Sequence, residues 1–64
     1  MHPDLAQLSS IATALDDLSA RVTGIADRQA ADPVQEAVAR DLYDVERSLQ
    51  TAARRLSTLL RRLE

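Results

Sequence analysis

Four arginines recur every seven residues along the second half of the chain. They are Arg40, Arg47, Arg54 and Arg61. Residues seven apart share one face of a helix, so these side chains would form a ridge, with Arg55 and Arg62 beside its C-terminal half. Guanidinium groups form paired hydrogen bonds with phosphates and carboxylates. The candidate residues for docking an anion or an acidic partner are Arg47, Arg54, Arg55, Arg61 and Arg62.

Charge is segregated along the same half of the chain. Residues 33–46 carry four acidic residues and one arginine, a balance of −3, whereas residues 47–64 carry five arginines and one glutamate, a balance of +4. Cations near a helix C-terminus also stabilise the helix dipole, and Asp44 is spaced to pair with Arg47. We favour this helix-stabilising interpretation and keep anion docking as the alternative.

The residue types needed for catalysis are scarce. The chain has no cysteine and a single histidine, His2, so its serines have no evident general base. A di-metal carboxylate bundle needs Glu-x-x-His spacings, and none is present. We therefore expect no enzymatic activity, no cofactor and no metal site.

Composition limits the possible partners. The formal net charge of −2 is small, and the only aromatic residue, Tyr43, lies away from the basic end, so bases have no aromatic side chain there to stack on. No apolar run approaches the roughly 20 residues that cross a bilayer, and no secretory leader pattern opens the chain. We expect a cytoplasmic protein that makes no membrane contact.

Two segments repeat apolar residues in steps of three and four, which is typical of amphipathic helices. In the first segment these residues are Leu5, Leu8, Ile11, Leu15, Leu18, Val22 and Ile25. In the second they are Val38, Leu42, Val45, Leu49, Ala52, Leu56, Leu59 and Leu63. Asp32 and Pro33 break the pattern, since Asp32 is a good N-cap, with Gln35 completing a capping box. The sequence predicts an all-α antiparallel hairpin, with helices over about 3–30 and 33–63 and a turn at 31–32.

Heptad positions a to g can be assigned with Leu8 and Leu42 at a, which places the apolar residues at a and d in both helices. An a/d seam inside the hairpin would leave the e row uncovered. The residues of this row that we assign to self-association are Leu5, Ala12, Ala26, Ala39, Glu46, Ala53 and Leu60. A second copy related by a twofold axis would cover them, so we expect a homodimeric four-helix bundle. Within it, Glu46 would need a partner such as Ser19 or an arginine.

The layout of two long helices with a central turn resembles the Rop type of plasmid-encoded RNA-binding protein, which implies a hairpin that dimerises into a four-helix bundle. No motif carries over the RNA-contacting side chains. Residues 8–18, LSSIATALDDL, and 41–49, DLYDVERSL, also resemble short, uncharacterised actinobacterial coiled-coil proteins. That resemblance implies no activity.

Two classes of function follow from these patterns. The first is a structural or adaptor protein that associates with itself and docks an unidentified protein partner through its helical faces. The alternative is a Rop-like nucleic-acid-binding regulator that uses the arginine ridge. We favour the first, because the overall charge is acidic and groups that stack on bases are lacking.

Overall fold

The computed structural model describes residues 2–64, which form two antiparallel helices. Helix α1 is Leu5–Ala30, helix α2 is Glu36–Leu63, and a short 3₁₀ turn, Pro33–Gln35, precedes α2. The helices pack against each other and form a rod of 51 × 14 × 10 Å. Within the described residues there is no strand. The predicted all-α hairpin is confirmed.

Helix α1 begins at Leu5, two residues after the predicted start near residue 3. Pro3 and Asp4 form a turn in which the Leu5 N–H donates to the His2 carbonyl oxygen at 3.2 Å. The Asp4 N–H donates to His2 Nδ1 at 3.1 Å, and the Asp4 side chain makes no capping bond. The α-helical pattern therefore starts with the bond from the Leu8 N–H to the Asp4 carbonyl oxygen, at 2.9 Å.

The break between the helices depends on Asp32. Its backbone is extended, as expected for a residue before proline, and its Oδ1 accepts a hydrogen bond from the Val34 N–H at 3.0 Å. The capping box predicted with Gln35 does not form, because the Asp32 N–H donates to the Gln29 carbonyl oxygen instead. The Gln35 N–H bonds the Asp32 carbonyl oxygen, which makes the first turn 3₁₀ and delays α2 to Glu36.

The two helices meet through their a and e rows rather than through a and d. The buried residues are all at e: Ser19, Ala26, Ala39 and Ala53. The leucines at a, such as Leu15 and Leu49, are half-buried beside them. Small side chains let the helix axes approach closely, because interaxial distance follows the size of the residues at the contact.

This packing corrects the predicted roles of two rows. The e row was expected to stay uncovered on the hairpin, but Ala26, Ala39 and Ala53 are buried inside it, and Leu5, Ala12, Glu46 and Leu60 are half-buried there. The d row, expected to line the seam, is exposed instead. Its large members keep 41–48% of their surface accessible: Ile11, Leu18, Ile25, Val38, Val45 and Leu59.

We expect the alanine contact to tolerate no added volume. Ala26 is completely buried, so Ala26→Leu should lower the free energy of unfolding by about 1–3 kcal/mol through overpacking. Ala20→Leu, at an exposed position on the same helix, is the matched control and should have little effect. Urea denaturation followed by circular dichroism measures both. Equal stability of the two variants would contradict the close packing of α1 on α2.

Candidate functional site

A polar contact lies within the alanine row of the hairpin. Ser19 Oγ donates a long hydrogen bond of 3.5 Å to Glu46 Oε1, so Glu46 has the Ser19 partner that the sequence suggested. In an antiparallel pair this register also places Ala26 opposite Ala39, seven residues along each helix. A slip of seven residues would bring the carboxylate against Ala12 or Ala26, where an unpaired charge is costly.

One side of the hairpin is a continuous apolar surface. In an antiparallel pair, equivalent heptad positions of the two helices lie on the same side of the pair. The d rows of α1 and α2 therefore lie side by side. Val34, which is 84% exposed, extends this surface at the turn. We call it the apolar face, and it consists of Ile11, Leu18, Ile25, Val34, Val38, Val45, Ala52 and Leu59.

The rim of the apolar face is polar and charged. It is formed by the g positions of the two helices, Gln7, Ala14, Arg21, Arg28, Asp41, Ser48, Arg55 and Arg62, all of which are exposed. The guanidinium group of Arg21 lies 3.8 Å from Asp17 on its own helix, and both side chains are largely exposed. The rim therefore keeps charged side chains available beside the apolar surface.

The opposite side is polar. A shallow groove of about 450 Å³ runs along it, lined by Asp16 of α1 and by Gln50, Arg54 and Arg61 of α2. Nearer the turn, the Tyr43 hydroxyl donates a 2.5 Å hydrogen bond to Asp27 Oδ1 and so joins the two helices. This bond, reinforced by partial burial and by the charge of Asp27, raises the pKa of Tyr43 above its ordinary value of 10.0.

The structure divides the candidate docking arginines between two surfaces. Those of the outward ridge bond to their own helix: Arg47 to Asp44 at 3.1 Å, Arg54 to Thr51 at 3.3 Å and Arg61 to Thr58 at 3.4 Å. The Asp44–Arg47 pair was predicted from its spacing. The remaining two candidates, Arg55 and Arg62, lie on the rim of the apolar face. The five arginines thus do not form a single site.

Comparisons with protein-family models, with curated proteins and with solved structures found no match. The resemblance to the Rop type therefore rests on the hairpin layout alone, and the actinobacterial resemblance gains no support. Neither α1 nor α2 has a stretch apolar enough and long enough to cross a membrane. Among residues 2–64, no three His, Cys, Asp or Glu side chains gather where they could hold a metal ion.

Sequence reasoning found the apolar rows but assigned the wrong one to the interior of the hairpin. The sequence distinguishes the e row from the d row by the size of their side chains. The e row is dominated by alanine and serine, which suit a close helix contact, whereas the d row holds the larger Ile, Leu and Val side chains. The apolar face of the hairpin is therefore the candidate functional site.

The bond between Tyr43 and Asp27 predicts an alkaline effect. Because the folded pKa lies above the unfolded value, its contribution to stability is complete below pH 10 and is lost as the pH rises through the folded pKa. Tyr43 is the only tyrosine, so phenolate absorbance reports this pKa directly. Asp27→Asn should lower it towards 10.0, whereas Asp16→Asn, elsewhere on the polar side, should not. An unchanged pKa in Asp27→Asn would show that the bond does not form in solution.

Proposed function

We propose that this protein is a non-enzymatic structural or adaptor protein of the cytoplasm, which associates with itself as a helical bundle and docks partners through its helical faces. The observation that carries the proposal is the apolar face. It runs from Leu59 near the open end of the hairpin to Val34 at the turn, and it is bordered by polar residues. Large apolar patches with polar rims are typical of protein interaction sites on otherwise polar surfaces.

The interior of the hairpin supports the same proposal. Among residues 2–64, the buried side chains are three alanines and one serine, and no large side chain is fully buried. A chain of this size rarely gains more than about 3–5 kcal/mol from a single core. Fully burying a Val, Leu or Ile side chain contributes about 1.5–3 kcal/mol, so covering the half-exposed residues of the apolar face would contribute about 1 kcal/mol each. The apolar term from covering this face would thus be comparable to that of the hairpin core, and it would be offset in part by the entropy that association costs.

We expect a charge in the middle of the apolar face to prevent association. Val45→Glu places a carboxylate at a position that is 48% exposed in the hairpin and would be buried in a complex. Light scattering should show a mass shift from assembly towards the single chain, and the melting temperature should lose its dependence on protein concentration. Gln50→Glu, on the polar side of the same helix, is the control and should leave the mass unchanged. Association that survives Val45→Glu would refute the role of the apolar face.

A second candidate function, nucleic-acid binding, is favoured by one observation. Arg54 and Arg61 line the groove on the polar side, and association through the apolar face would leave that groove open. Phosphate binding by such side chains would release counterions, so the logarithm of the affinity would fall linearly with the logarithm of the salt concentration. Protein docking driven by apolar contacts would not show this dependence.

We expect the arginines at the end of α2 to be dispensable for folding. Replacing Arg54, Arg55, Arg61 and Arg62 by Gln should change the free energy of unfolding by at most about 1 kcal/mol per residue, because exposed terminal charges contribute little. Binding of an RNA hairpin or a DNA duplex, measured by fluorescence anisotropy over a salt series, should be absent in both forms. Tight, steeply salt-dependent binding by the unmodified chain that the four-Gln variant loses would establish the nucleic-acid function instead.

A further inference from the structure

We infer that the apolar face binds one amphipathic helix of another protein, whose apolar stripe is flanked by acidic residues in a diagonal arrangement. The inference rests on the proposed function and adds to it the chemistry of the docked partner. The partner helix would lie along the groove between α1 and α2, as the third member of a three-helix arrangement. A second copy of the chain would cover the same surface, so the partner helix and self-association compete for it.

The rim of the apolar face is basic, although the chain as a whole is acidic. Four of the eight arginines lie at rim positions, together with one of the ten acidic residues. The rim therefore carries a charge of +3, whereas the whole chain carries −2 and the remainder of the chain −5. Complementary charge at the edge of an interface decides which partner is accepted, so this rim favours an occupant with acidic flanks. The rim arginines are Arg21, Arg28, Arg55 and Arg62.

The rim arginines are free to take up carboxylate partners. Among residues 2–64, Arg28, Arg55 and Arg62 make no side-chain hydrogen bond or ion pair, whereas three arginines of the outward ridge bond to their own helix. Arg21 has only an exposed contact of 3.8 Å with Asp17. All four rim side chains are exposed, so pairing them with an acidic partner would break no buried contact.

The rim arginines form two pairs at opposite corners of the apolar face. Arg21 and Arg28 border α1 in the half nearest the turn, and Arg55 and Arg62 border α2 in the half nearest the open end. The register of the hairpin separates the two pairs by about 18 residues, or about 27 Å, along the rod. The other two corners carry no arginine, and one of them carries Asp41. The partner therefore needs its acidic residues on one flank in its first half and on the other flank in its second half.

The surface between these corners suits a helix. Across the apolar face, the half-buried a rows lie in the centre and the exposed d rows lie on either side of them. Helices in contact have axes about 8–10 Å apart, so a third helix can touch both. A helix satisfies its own backbone hydrogen bonds, whereas an extended segment would place unpaired N–H and C=O groups against aliphatic side chains. A helix of about 35 residues matches the 51 Å length of the rod.

A second copy of the chain supplies too little acidic charge for this rim. Whichever way it is oriented, its own rim offers one acidic residue, Asp41, to four arginines. Two rims of positive charge also repel each other. A helix with acidic flanks would cover the same apolar side chains and pair with all four arginines, so it should displace the second copy.

An anionic lipid surface matches the apolar face less well. The face has no aromatic side chain of the kind that anchors helices at a membrane interface. The rod is 10 Å across its shortest dimension, which is close to the Debye length of about 8–10 Å. The negative charge of the opposite side would therefore still be felt by an anionic membrane. A uniform layer of headgroups also has no feature that corresponds to the diagonal placement of the arginines.

Two synthetic peptides of identical composition test the diagonal arrangement. Each has five heptads, about 52 Å of helix, with Leu and Ala at a and d and with four Glu among Gln residues at e and g. In the first peptide, Glu occupies g in the first two heptads and e in the last two. In the second peptide, Glu occupies e in the first two heptads and g in the last two.

Only the first peptide matches the four rim arginines. Because α-helices are right-handed, the g flank of a peptide in the groove lies beside α2 when its N-terminus is at the open end, and beside α1 when its N-terminus is at the turn. In both directions the glutamates of the first peptide reach the arginine corners, and those of the second peptide reach the other two corners. Fluorescence anisotropy at low ionic strength should show the first peptide binding at least tenfold more tightly.

Variants of the chain test the same contact from the other side. Arg55→Gln combined with Arg62→Gln removes one arginine corner and should weaken binding of the first peptide about fivefold at low ionic strength. Arg47→Gln combined with Arg54→Gln makes the same charge change on the outward ridge and is the matched control, which should bind normally. Circular dichroism checks that both variants keep their helices.

Three results would overturn the acidic partner helix. The first is equal affinity of the two peptides at low ionic strength, which would show that the diagonal arrangement selects nothing. The second is sedimentation with phosphatidylglycerol vesicles by a chain that binds neither peptide, which would make a lipid surface the occupant. The third is an assembly whose mass, measured by light scattering, the first peptide does not change, which would leave the second copy in place.

Val45→Glu separates this inference from the function on which it rests. If neither peptide binds while Val45→Glu still reduces the mass of the assembly, the acidic partner helix is refuted and the proposed function stands. If Val45→Glu binds the first peptide as tightly as the unmodified chain and associates as it does, the apolar contact is refuted, and the proposed function fails together with the inference.

Discussion

The close contact of small side chains between α1 and α2 determines the rest of this structure. Ser19, Ala26, Ala39 and Ala53 are the only buried residues among those described, and they all lie at e. When the helices meet at e, the neighbouring a row is turned half inward, and the d row is turned out of the contact. The exposure of the larger aliphatic side chains is therefore a consequence of how closely the alanines allow the helices to approach.

Because the helices meet through the a and e rows, and not through a and d, the hairpin has two unlike sides. On the polar side, b-row residues of both helices line the open groove, and the bond from Tyr43 to Asp27 joins the two helices. On the other side, the d rows form an apolar surface that nothing in the hairpin covers. A helix pair with the seam at a and d would have buried its largest side chains within itself and would have had little apolar surface to offer a partner.

The glutamate in the alanine row has a structural role that its residue type does not suggest. Glu46 is half-buried and accepts a hydrogen bond from Ser19, so a slip of one helix along the other would leave its carboxylate without this partner. The register in turn decides which side chains of α1 lie opposite which side chains of α2 along the apolar face and its rim. The position of the α1 side chains Ile11, Leu18 and Ile25 relative to those of α2 on the apolar face therefore depends on a contact in the inner row of the hairpin.

The sequence by itself determined the helices and the break between them, because the 3.6-residue period of apolar residues and the restriction that Pro33 imposes on Asp32 are local properties. It also offered Ser19, as an alternative to an arginine, as the partner of Glu46, and the structure shows the Ser19 contact. It did not determine which two of the three apolar rows meet. Rows a, d and e form one broad stripe on each helix, and a rotation of a few tens of degrees exchanges an a/d contact for an a/e contact without changing the helices. Only the packing of one helix on the other decides that rotation. The small e-row side chains allow a close contact only where the residues opposite them on the other helix are also small.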